Sequence, residues 1–98
     1  MRHERRIYNV SLIVNERQIH QVVIDPHYEK NHSASITDEL ILELVQLLNG
    51  GEFEIDQVSG EFEYFKTEPL YLREKKYRLV WLLKKNALFI GVVNAFRR

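Results

Sequence analysis

Two groups of residues in this chain could do acid-base chemistry on a phosphate ester. The stretch DPHYEKNH, residues 25 to 32, gathers two histidines, a lysine, an aspartate and a tyrosine just ahead of a segment patterned as a helix. The second group is cationic: Arg73 and Arg78 flank a turn, and Arg97 and Arg98 follow the last apolar run. Cleavage of RNA through its 2′-hydroxyl needs a base, an acid and cations on the phosphate. Side chains of His, Glu, Lys, Tyr and Arg can fill these roles without a metal. The candidate set is His32 as acid or base, Lys30, Arg78 and Arg97 on the phosphate, and Tyr77 or Tyr28 orienting the substrate. The same residues also read as solvated turns and chain ends, because charged and polar side chains are ordinarily exposed.

Other chemistries find less material. There is no cysteine, no glycine-flanked serine at a strand-to-helix elbow, and Gly50-Gly51 follows the helical segment instead of opening it, so neither a nucleophile nor a phosphate loop is expected. Zinc would need three or four ligands from His3, His20, His27, His32 and nearby carboxylates. The spacings alone do not bring those rings together, so no metal or other cofactor is expected. A pH- or metal-responsive binder built on the four histidines is a third reading.

The elements that must position these residues are patterned clearly. From 7 to 14 apolar side chains fall at every second position, Tyr8, Val10, Leu12 and Val14, which is the period of a half-buried strand. A β-branched run over 19 to 24 follows and stops at Asp25-Pro26, so the two segments form a hairpin. Ser35 as N-cap with Asp38 three residues on, then Ile36, Leu40, Ile41, Leu44, Val45 and Leu48 at helical spacing, predict a helix over about 36 to 49, with Asn49-Gly50-Gly51 as its left-handed stop. Leu42 falls on the polar side with Asp38, Glu39 and Gln46. Residues 52 to 60 fit either an ordered loop or a short edge strand. Residues 61 to 65 alternate again, 69 to 73 read as a short strand that Pro69 confines to an edge, and Glu74-Lys75 forms a turn. Segments 77 to 83 and 88 to 96 are apolar on both faces and so form the central strands.

These elements predict one α+β domain spanning residues 1 to 98: a ββαβββ chain with an antiparallel sheet of five or six strands and one main helix on one face. The second apolar face of that sheet has no cover from the pattern, which points to a homodimer or another protein partner; the N-terminal hairpin folding over it is the alternative. Lys and Arg total 14 against 14 Asp and Glu, so no global field draws the chain to nucleic acid or an anionic membrane. No run of about 18 apolar residues occurs, and the missing cysteines suit a reducing compartment, so a soluble cytoplasmic protein without a membrane partner is expected.

Two segments resemble a known family. EKNHSASITDEL is similar to the Lys-His segment that precedes a helix in BrnT-type toxins of the RelE-like superfamily, with Ile36 four residues after the histidine and acidic residues following. VVNAFRR is similar to that family's last strand, which runs into paired arginines. The resemblance implies a metal-independent endoribonuclease held inactive by an antitoxin, with Lys30 and His32 as the Lys-His element and Arg97 and Arg98 as the terminal basic pair. The sequence departs from the pattern where Asn31 separates lysine from histidine, where Phe96 precedes the arginines, and in its balanced charge. A ribonuclease predicts a basic concave surface. The alternative, a non-catalytic interaction module, predicts an exposed apolar patch with its basic residues scattered.

Overall fold

Alternation decides the first hairpin. In β1 (Arg6–Val14), Leu12 and Val14 are buried and Tyr8 and Val10 pack against the same core, while Ile7, Asn9, Ser11 and Ile13 face outward. Asn15 and Glu16, both left-handed at φ 51° and 63°, turn the chain into β2 (Arg17–Ile24). Two consecutive left-handed residues give a tight turn whose twist matches that of the paired strands. The Asn15 side chain also donates to the Phe53 carbonyl and accepts from the Phe53 N–H, tying a distant loop to the hairpin. The computed structural model describes residues 4 to 29, apart from the His27 side chain, and residues 36 to 98.

A single 3-10 turn, Pro26–Tyr28, follows β2. Helix α1 spans Asp38–Gln46 and is shorter than the 36 to 49 predicted. Its cap is Thr37 and not Ser35, which lies outside the described residues. Thr37 is extended and its hydroxyl accepts from the Leu40 N–H at 3.1 Å, so the helix can start only at Asp38. The far end closes earlier than the expected glycine stop: Leu47 is the C-cap, the N–H groups of Leu47, Leu48 and Asn49 turn back on Leu44, Val45 and Gln46, and Gly50, left-handed at φ 83°, lies beyond them and donates to the Ile13 carbonyl.

Four strands complete the chain: β3 (Gln57–Ser59), β4 (Phe62–Leu72), β5 (Lys75–Lys84) and β6 (Phe89–Arg97). The open question over 52 to 60 resolves as a three-residue strand. The two separate strands expected at 61 to 65 and 69 to 73 are one, with a register shift between Thr67 and Leu70 that accommodates Pro69. Because β3 pairs only with Phe62, Glu63 and Tyr64, Pro69 stands where β4 is itself the sheet edge, and its missing N–H costs no ladder bond. The turn that follows is Arg73-Glu74, one residue earlier than read, both left-handed at φ 50° and 66°.

The sheet is six-stranded in the order β1-β2-β6-β5-β4-β3. It is mixed, which corrects the expectation of an all-antiparallel sheet: β2 runs parallel to β6, with Val22 beside Ile90 and Ile24 beside Val92. No tight turn links those two strands, since α1 and three strands intervene, so their relative direction was free of the hairpin constraint. The N-terminal hairpin therefore widens the sheet and does not fold across it.

Helix α1 covers one face. Its buried residues Leu40, Ile41, Leu44 and Val45 share a core with Leu79, Trp81 and Leu83 of β5 and Ile90 and Val92 of β6. Trp81 is the centre, stacked on Phe65 at 4.1 Å between ring centroids and met edge-on by Phe53 at 5.5 Å. Its indole N–H donates to the Thr67 hydroxyl at 2.9 Å, so the largest core side chain is also hydrogen-bonded. Among the described residues, no helix or strand lies over the opposite face, and no helix is long and apolar enough to cross a membrane.

Candidate functional site

Every second residue of the central strands points to the uncovered face, where an apolar middle, Val80 and Leu82 of β5 with Phe89 and Gly91 of β6, lies between Arg78 and Lys84. One cross-strand row runs over all six strands: Ile7 pairs with Val23, Val23 with Gly91, Gly91 with Leu82, Leu82 with Tyr64, and Tyr64 with Gln57. Ile7 is 60% exposed and Val23, Leu82 and Tyr64 are half-buried. A groove of about 510 Å³ lies on this row, floored by Gly91 and walled by Val23, Tyr64, Leu82 and Phe89, with Arg5, Asp25 and Lys84 at its rim. Gly91 leaves room for a neighbour there. A Cβ at that position would come within 2.8 Å of the Leu82 side chain, which lies across the bare backbone. The groove has apolar walls, the dimensions common in ligand sites and a few charges around it.

The residues singled out from the sequence are only partly assembled. The β5–β6 ladder sets Tyr77 opposite Arg97 and Arg78 opposite Phe96, so these three residues do reach one end of the sheet. Their side chains serve different ends. Tyr77 is buried in the core under the helix side, whereas Arg78 sits on the open face, over the Phe96 ring and hydrogen-bonded to Glu68 at 2.8 Å. Arg98 holds the other Glu68 oxygen at 2.9 Å. Arg73 reaches across to Glu43 on α1 with contacts of 2.6 and 2.7 Å. Arg97 is exposed. Lys30 and His32 lie outside the described residues, as do His3 and the His27 side chain; His20 is exposed on β2.

A second assembly escaped the sequence reading. Asp38, at the first position of α1, is buried with 8% exposure and accepts from three elements: Tyr8 of β1 at 2.6 Å, Tyr28 of the 3-10 turn at 2.6 Å, and the Arg6 guanidinium, whose Nη2 lies 2.9 Å away. Burial alone would push this carboxyl up, but the hydrogen bonds from Arg6, Tyr28 and Tyr8 outweigh it and hold it below the usual carboxylate range. The Tyr28 hydroxyl is pushed up by its own burial and by donating to Asp38, and Tyr8 by the same acceptor. Tyr28 therefore serves as a donor to Asp38. The sequence carried one signal for this cluster: Arg6 falls in phase with Tyr8, Val10, Leu12 and Val14, a cation on the apolar face that requires a counterion.

The fold is thus that of a small α+β protein with a six-stranded mixed sheet, covered by a helix on one side and, among the described residues, bare on the other. No family model, no curated protein and no solved structure matches this chain.

Proposed function

We propose that the chain is a non-catalytic protein-interaction module whose open sheet face is the docking surface. The observation that carries this reading is the continuous row from Ile7 through Val23, Gly91, Leu82 and Tyr64, apolar in every strand but the short outermost one. Folding needs one buried sheet face here, and α1 supplies its cover. A second apolar face of this extent contributes nothing to the core and raises the cost of exposure to water, so it fits a surface that is covered in the working assembly.

The ribonuclease reading, with RNA and an antitoxin as partners, has less support. Binding to a polyanion rests on cations available to phosphates. Among the described residues, Arg6 faces Asp38, Arg17 faces Glu63, Arg73 faces Glu43, and Arg78 and Arg98 share Glu68.

A photo-crosslinking amino acid placed in growing cells tests the docking role. Set at Val80, on the open face, it is expected to give a discrete crosslinked species; set at Gln46, on the exposed side of α1, it is expected to give none. Purified protein is expected to leave RNA intact. Equal crosslinking at both positions, or none at either, would remove the support for a docking face, and RNA cleavage that His32→Ala abolishes would restore the enzymatic reading.

A further inference from the structure

We infer that the occupant of the open face is a second copy of this chain, docked about a two-fold axis that lies in the interface, along the strands and between β5 and β6. The inference rests on the docking role of that face and adds the identity and geometry of the partner.

The argument is one of self-complementarity. Rotation about such an axis places each strand against its mirror position in the sheet order, so β2 meets β4 and β6 meets β5 of the partner subunit. In the apolar row this sets Val23 against Tyr64 of the partner subunit, small against large, while the Leu82 side chain, lying over Gly91 of its own chain, is brought beside the axis. The neighbouring row is charged at its ends. β2 and β4 run in the same direction, so Asp25, two residues beyond Val23, and Lys66, two residues beyond Tyr64, stand within about one residue of the same level, with the β5–β6 register shift at Val80 and Trp81 between them. Arg5 approaches Asp25 at 4.0 Å at one edge, and Asp56 approaches Lys66 at 3.7 Å at the other. Across the sheet the signs read plus, minus, then apolar, then plus, minus. Reversed by the two-fold, every sign meets its opposite: Asp25 faces Lys66 of the partner subunit and Arg5 faces Asp56 of the partner subunit. These four positions make two independent contacts, each formed twice by the two-fold.

The size also fits. Five strands of 8 to 11 residues, about 4.8 Å apart, with three-residue β3 at one edge, make a face of about 600 Å², at the low end of the about 600 to 1,000 Å² that each partner gives a stable complex. Two such sheets pack about 10 Å apart with an offset of about 30°, which shifts Asp25 against Lys66 by about 4 Å and Arg5 against Asp56 by about 6 Å, within the span of a lysine or arginine side chain.

Light scattering and sedimentation of the purified chain at rising concentration test this. The expected species has twice the 11.8 kDa chain mass, and Leu82→Lys is expected to be monomeric with an unchanged circular dichroism spectrum. Each contact occurs twice in a two-fold interface, so Asp25→Lys alone and Lys66→Asp alone are each expected to weaken the dimer about tenfold or more, and the double exchange to recover most of that loss. The exchange bears on the geometry even if Leu82→Lys fails to fold. A chain that stays monomeric at its highest soluble concentration would overturn the inference; if Val80 then crosslinks to a different protein, or the groove takes up a small apolar molecule, the open face keeps a binding role and only the second copy is lost. A dimer whose single charge variants are not rescued by the double exchange would overturn the proposed axis.

Discussion

Donors from three separate elements converge on the Asp38 carboxylate, so one side chain joins the start of β1, the turn after β2 and the start of α1. Asp38→Asn removes the charge that Arg6 answers and leaves the two tyrosine hydroxyls a weaker acceptor, at an expected cost of about 2 to 3 kcal/mol in urea unfolding at neutral pH. The pH dependence has a definite sign. The folded carboxyl is held below its ordinary value, so its contribution is present above about pH 4, where the unfolded chain is ionised, and is lost as pH falls through the folded value. The acid limb of the stability curve is therefore expected to be shallower in Asp38→Asn than in the parent. This role was hard to read in advance because an acid at the start of a helix is already accounted for by the cap and the helix dipole. The phase of Arg6 in β1 held the only surplus information, and its partner lies 32 residues away.

At the scale of elements, what depended on local periodicity was legible and what depended on pairing was not. The two-residue alternation of β1, the helical repeat of α1 and the apolar runs of β5 and β6 all lie within about ten residues of chain, and the strands and helix formed where those patterns are. The parallel alignment of β2 with β6 is a contact between positions about 68 residues apart, as between Val22 and Ile90, and no turn between them dictates direction. The helix start shows the same limit at short range: Ser35 and Thr37 are both competent caps by type, and only the position of Asp38 beneath Tyr8 and Tyr28 selects the second. Thr37→Ala is expected to lower stability by about 1 kcal/mol and Thr37→Ser to be nearly neutral, as measured by thermal and urea unfolding. A loss equal in both variants would mean that the hydroxyl does not cap the helix.

For the whole molecule, the uncovered sheet face joins the fold to the function. The sequence announced that face through apolar residues on both sides of the central strands, but its charge order became visible only once β2 and β4 were set at equal distances from the middle of the sheet. Of the candidate ribonuclease set, Tyr77 lies in the core, Arg78 on the open face and Arg97 exposed at the same end of the sheet, while Lys30 and His32 lie outside the described residues. The most direct measurement uses the absence of cysteine, which lets a spin label be attached at one introduced position. With the label at Gln21, exposed on the β2 side of the open face, pulsed dipolar spectroscopy is expected to show one distance between copies of about 20 Å; with the label at Gln46 on α1, the distance is expected to exceed about 40 Å, given sheets packed about 10 Å apart with a helix outside each. No dipolar signal at either position, or a shorter distance at Gln46 than at Gln21, would contradict the pairing of two copies through their open faces.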